Sequence, residues 1–237
     1  MIREVVGQQL DHDPNFRWRG ESVTRIENLS DIAFAVALGM IVSGVDAPST
    51  FPELIRFLIF IIPAAACFAV QIWTAHYTFF RRYGVADRTI IVLNAVLIFL
   101  ILYMAYPLRF VFDSLFAWII GASTGDVSRY VEIGVMSFET SGEILAIFGA
   151  IYAAVYVNLA LMYRYIRTKH ETLDLNAYES SQTDRDHIYY WLAAILCVVV
   201  SLVAWLTPLN GFAGFFLSFN GLIAAFLNKR YPLPVET

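Results

Sequence analysis

The chain has 237 residues, of which 59% are hydrophobic and only 15% charged, and its mean hydropathy is +0.62. A water-soluble domain of this length carries far more charge, so most of its surface must meet lipid. A formal net charge of −4 with no long block of like charge excludes a nucleic-acid-binding role.

The stretch from Met1 to Ser22 is polar and contains Asp11, Asp13, Arg17 and Arg19, so it lacks the apolar core of a cleaved leader. A helix needs about 20 apolar residues to cross the hydrocarbon core, because no backbone amide can be left unpaired in lipid. Six stretches meet or approach that length: Leu29–Val45, Leu54–Phe80, Thr89–Leu108, Ile144–Tyr163, Ile188–Leu206 and Gly211–Leu227. Pro63 removes a backbone donor inside the second and predicts a kink. Between the third and fourth, the connection from Arg109 to Gly142 holds the apolar piece Leu115–Ile120, too short to cross, which reads as an interfacial turn or an extension of the third helix. Thr168–Asp186 reads as a solvated loop with Asn176, Ser180 and Ser181 as breakers. Cys67 and Cys197 both lie in apolar stretches, where a thiol packs as a small hydrophobe. Asn158 and Asn220 read as polar bridges between helices.

Lys and Arg close to membrane spans stay preferentially on the cytoplasmic side. They cluster at Arg3, Arg17, Arg19 and Arg25, at Arg81, Arg82 and Arg88, at Arg164, Arg167, Lys169 and Arg185, and at Lys229 and Arg230. The opposite connections hold Arg56, Arg109 and Arg129 alone. This alternation predicts both termini in the cytoplasm, which requires an even number of spans. The expected organisation is a cytoplasmic segment over 1–28, a membrane domain over 29–228 and a cytoplasmic tail over 229–237, as a multi-pass protein of the cell membrane.

Chemistry concentrates at the entry to the first span, Arg25-Ile-Glu-Asn-Leu29-Ser30-Asp31. A charge at a helix centre costs roughly 2.5–3.5 kcal/mol, less near the interface, so Asp31 needs partners. Trp73, His76 and Asn94 are candidates by donor chemistry and depth. The competing reading is that Ser30 and Asp31 simply cap a helix start, which leaves His76 and Asn94 inside apolar helices unexplained. A single histidine among aromatics is more often a hydrogen-bonded structural group than a metal ligand, and its titration near neutrality would confer pH sensitivity.

The run Arg25-x-x-x-Leu29-Ser30-Asp31 resembles the Arg-x-x-x-Phe-Ser-Asp signature of the transmembrane protein 175 family, the lysosomal potassium channel and its bacterial relatives. Trp73-x-x-His76, the following Phe79 and Phe80, and Leu93-Asn94 extend the resemblance through the third span. It implies an all-α polytopic membrane protein of six transmembrane helices per subunit, assembled as a homotetramer whose first helix lines a pore. It also implies a permeant monovalent cation, potassium, with no other cofactor. The constriction would then fall on Val36, Met40 and Ser43. Their i, i+4, i+7 spacing gives one helix face, a spacing that ordinary packing uses equally. Leu29 replaces the family's phenylalanine. Val36, Met40 and Gly39 stand where isoleucine, leucine and threonine are common, which predicts weaker potassium preference, because a glycine offers no hydroxyl to replace an ion's hydration.

A membrane enzyme or a secondary transporter built on Asp31, His76 and Asn94 is the alternative. The sequence contains no nucleophile elbow, His-Glu-x-x-His run or phosphate loop, and no inverted repeat is visible. It also lacks the Thr-Val-Gly-Tyr-Gly filter of conventional potassium channels. The expected partners are copies of the chain itself, the lipid bilayer and potassium ions.

Overall fold

A computed structural model of the chain describes residues 13, 15–20, 22–43, 51, 58, 66–67, 69–124 and 138–232. Six helices carry them: α1 (Arg25–Ser43), α2 (Thr74–Tyr83), α3 (Arg88–Thr124), α4 (Phe138–Thr168), α5 (Ala177–Leu206) and α6 (Phe219–Arg230). A π-helical turn, Ala69–Trp73, leads into α2, and a 3-10 stretch, Asn210–Ser218, leads into α6. No strand occurs among the described residues.

Local chemistry sets the helix starts. Before α1, the Glu27 carboxylate accepts from the Thr24 amide at 2.8 Å while the Thr24 hydroxyl oxygen accepts from the Glu27 amide at 3.3 Å, a reciprocal capping box. The helix therefore begins at Arg25, ahead of the expected Leu29, and Ser30 and Asp31 lie in its second turn rather than at its cap. Asp87 caps α3, its carboxylate accepting from the Thr89 and Ile90 amides, both at 3.1 Å. α3 then runs through Pro107 to Thr124, so Leu115–Ile120 is an extension of the third helix and not a separate turn.

The solvated loop expected over Thr168–Asp186 is shorter than that. Asn176 and Glu179 form a second capping box, with the Glu179 amide donating to Asn176 at 2.8 Å and the Asn176 amide donating to Glu179 at 3.0 Å. This starts α5 at Ala177, and Ser180 and Ser181 sit inside the helix rather than breaking it. Serine is a poor helix former in mid-helix but is well tolerated in a first turn whose amides are already capped.

Among the described residues, four segments are long and apolar enough to cross a membrane: Arg88–Val111, Thr140–Thr168, Ala177–Leu206 and Phe212–Arg230. They correspond to the third through sixth expected spans. α1 covers 29–43 of the first; of the second, 54–57, 59–65 with Pro63 among them, and 68 lie outside the described residues. α4 is the centre of the packing, with α5 and α3 against it and α1 against α3. A column of rings runs through that core, Phe148 stacking on Tyr152, Tyr152 meeting Tyr156 at a tilt, and Tyr163 meeting both Tyr190 and Phe79. Polar bridges knit the apolar helices: Ser201 donates to the Ala146 carbonyl at 2.6 Å and Asn158 to the Leu93 carbonyl at 3.1 Å. Asn220, the other expected bridge, buries a side-chain oxygen with no partner among the described residues.

Candidate functional site

The periodicity of α1 sorts its residues into two faces. Ser30, Ala33, Phe34, Ala37 and Ile41 are buried against the rest of the subunit. Leu29, Asp31, Ile32, Val36 and Gly39 point away from it, with Val36 49% exposed and open space around the position a Gly39 Cβ would take. Met40 sits at the border, half-buried against the core. The backbone of α1 ends at Ser43, whose side chain lies outside the described residues. Arg25 is exposed at the first turn.

Behind the buried face lies a closed hydrogen-bond chain. Asn94 of α3 is central: its amide nitrogen donates to Ser30 Oγ at 2.8 Å, and its oxygen is 3.0 Å from His76 Nε2. An amide oxygen can only accept, so His76 donates through Nε2. The Ser30 hydroxyl donates onward to the Ile26 carbonyl at 2.9 Å. All three side chains are essentially inaccessible, at 0% for Ser30, 1% for Asn94 and 2% for His76. Phe34 and Phe80 wall in the imidazole, with ring centroids 5.6 and 4.7 Å away. The network thus ties the first, second and third helices together at one level.

Asp31 is not part of that chain. It accepts from the Trp73 indole at 3.2 Å, on the exposed side of α1. Of the donors considered from sequence, the structure gives Trp73 to Asp31 and keeps His76 and Asn94 for each other and Ser30. Trp73 in turn stacks on Tyr77 at 5.4 Å, and Trp18 meets Tyr77 edge-on at 6.3 Å. The Arg81 guanidinium lies 5.5 Å from the Tyr77 ring and 5.9 Å from the Trp18 ring.

The segment preceding α1 forms a strap that sequence reasoning missed. The Arg19 and Gly20 amides donate to the Arg82 and Arg81 carbonyls at 3.3 and 3.0 Å, and Arg81 returns a bond to the Gly20 carbonyl at 2.9 Å. Two glycines permit this approach. A Cβ on Gly20 would stand 2.4 Å from the Phe80 carbonyl oxygen, and Gly84, at φ +61°, would place one 2.8 Å from the Arg19 carbonyl oxygen. Arg19 then reaches α5, forking onto Glu179 at 3.0 and 2.7 Å and bonding the Leu173 and Asp174 carbonyls, both at 2.9 Å. Burial pulls the Glu179 carboxyl upward, but the bonds from Arg19 and from the Asn176 and Arg17 amides outweigh it and hold the group below the usual carboxylate range. Beside this clasp, Arg82 pairs with Asp186 at 2.8 Å and lies over the Phe16 ring at 4.8 Å, and Tyr83 shares a 2.8 Å bond with Thr183. Partners some 160 positions apart leave no local signal; only the surplus of arginine before the first span hinted at them.

No protein-family model matches the chain. A curated relative, a potassium channel of Marivirga tractuosa, is 32% identical over 222 residues, covering 92% of this chain and 89% of the relative. Among solved structures, a variant of the potassium channel MtTMEM175, crystallised with a nanobody fusion protein, is similar at a TM-score of 0.74 and 28% identity, covering 93% of this chain and 98% of that one.

Proposed function

The chain belongs to the transmembrane protein 175 family of potassium channels, and from that premise we propose that it is a potassium-permeable channel whose first helix, repeated in a homotetramer, lines a hydrophobic constriction. Asp31 carries the reading. It is exposed at the edge of the α1 face that carries the apolar residues Leu29, Ile32 and Val36. Apolar residues can face lipid at no cost, but a carboxylate cannot, so this side of α1 belongs against water or another subunit. Four such faces around an axis bring Val36 to the narrowest ring, with Gly39 opening the wall beyond it and Met40 free to swing in from the border.

A ring of valines gates by dewetting rather than by stripping an ion of its water, and Gly39 supplies no oxygen to the pathway, so discrimination between potassium and sodium is weak. The termini lie in the cytoplasm of a cell-membrane protein with six spans. The enzyme and transporter alternative finds no support. Its relatives are potassium channels, and two of its three residues, His76 and Asn94, are tied in the buried chain with Ser30.

Ion flux into liposomes containing the purified protein tests the reading. Potassium entry is expected, with sodium entry of the same order. Val36→Ser should raise the resting flux by letting water wet the constriction, and Val36→Trp should block it. Flux that ignores both substitutions would overturn the assignment of the constriction.

A further inference from the structure

Between α2, α5 and α6 lies a cavity of about 340 Å³ that neither the pore face nor the bracing network uses. Its lining is graded. Arg82, Arg185, Asp186 and Gln182 stand where α2 ends and α5 begins, and Val70, Ala75 and Ala224 stand further along the same helices. Arg82 is neutralised by Asp186 at 2.8 Å. Arg185 is not: it donates to the Gln182 side-chain oxygen at 2.5 Å, and no carboxylate lies within ion-pair distance of it among the described residues. The cavity therefore holds one net positive charge at one end and, at the other, an uncharged wall in which Val70, Ala75 and Ala224 alternate with Gln71, Thr74 and Thr78, and it is open on the side where Val70 and Thr74 are exposed. Leu227 and Asn228, which also line it, adjoin Lys229 and Arg230 at the basic end of α6, a mark of a membrane interface.

We propose that this cavity is a binding site for an anionic phospholipid, with the phosphodiester on Arg185, whose guanidinium is steadied by Gln182, itself donating to Asp186 at 3.1 Å, and an acyl chain along Val70, Ala75 and Ala224. A guanidinium fork suits a phosphate, the uncharged wall suits a chain, and the volume accommodates a headgroup and the start of a chain but not a whole lipid, whose remainder lies in the bilayer. A zwitterionic lipid brings its own cation to a site that already has one unpaired, so charge favours the anionic class. The inference requires only that the chain spans a membrane, and it stands apart from the reading of the pore.

Native mass spectrometry of the purified oligomer tests it, with phosphatidylglycerol and phosphatidylcholine of identical chains added in detergent. Wild type should retain phosphatidylglycerol about fivefold better, the weight of one basic side chain against an anionic lipid. Arg185→Gln should abolish that preference, and Ala224→Trp, which fills the uncharged end, should reduce retention of both lipids. Arg230→Gln, an arginine stacked on Tyr231 outside the cavity, should change nothing. Equal retention of the two lipids by wild type, an unchanged preference in Arg185→Gln, or displacement by glycerol 3-phosphate at the same concentration as the lipid would overturn the proposal. Potassium flux from the same preparations reports on the pore separately, so equal retention of the two lipids by wild type with flux intact counts against this site alone.

Discussion

Asn94 is the residue on which most of the local arrangement depends. It hydrogen-bonds both His76 and Ser30, and replacing it with an apolar side chain takes the acceptor from the buried His76 Nε2–H while Ser30 keeps the Ile26 carbonyl. A buried polar group left without a partner costs about 1–3 kcal/mol. Asn94→Leu is therefore expected to lower the melting temperature of the detergent-purified protein markedly. Asp31→Asn should barely move it: the substituted amide oxygen can still accept from Trp73, and the pair is exposed. If Asp31→Asn were the more damaging to melting, the division of labour between the two polar groups would be wrong. The serine and aspartate are adjacent in the signature, and sequence pattern alone could not separate them. Their split follows from helix geometry, because neighbours on a helix point about 100° apart. One faces Asn94 and the other Trp73.

At the scale of elements, the strap from Arg17 to Gly20 fixes the entrance angle of α1 by clamping it to the end of α2 and the start of α5. Gly20→Ala must push the strap away from Phe80, and hydrogen exchange at the Arg19 and Gly20 amides should rise by an order of magnitude or more while the α4 core stays protected. Acidification should open the same clasp. Glu179 is held below its ordinary value, so its contribution is complete above the unfolded glutamate value of about 4.3 and is lost as pH falls through the lower folded value. The Arg17 amide, which donates to Glu179 at 2.7 Å, reports this: its protection, corrected for intrinsic exchange, should be flat through neutral pH and collapse only in strong acid. A collapse near pH 6 would implicate a different group. Helix spans were readable from hydropathy because lipid enforces a simple rule on backbone amides. Helix ends were not, since Thr24 and Asn176 act through reciprocal bonds with Glu27 and Glu179 that hydropathy ignores. The apolar criterion started the fifth span at Ile188, whereas capping starts its helix at Ala177.

For the whole molecule, the third to sixth spans, and the family to which the chain belongs, were legible from the residues. Long apolar runs and a signature at the first span were enough for that. The docking of the N-terminal segment was not legible, because Arg19 and Glu179 meet only once four intervening helices have packed. The face of α1 was half legible. The family resemblance grouped Val36, Met40 and Ser43, but packing turns Met40 toward the core of its own chain and leaves Gly39 in the open. Met40→Ala should therefore alter flux less than Val36→Ala does, by a factor of a few, in the same liposome assay. The reverse order would rotate the pore axis toward Met40.

The clasp between Arg19 and Glu179 also constrains how the protein can be made. Arg19 leaves the ribosome long before Glu179 exists, so the first helix enters the membrane with its anchor unfinished. Only when the capping turn at Asn176 emerges can the strap close and set the tilt of α1. Newborn chains halted before Ala177 have a first helix already tied to α2 and α3 through Trp73 and Asn94, but the strap ahead of it still lacks its hold on α5.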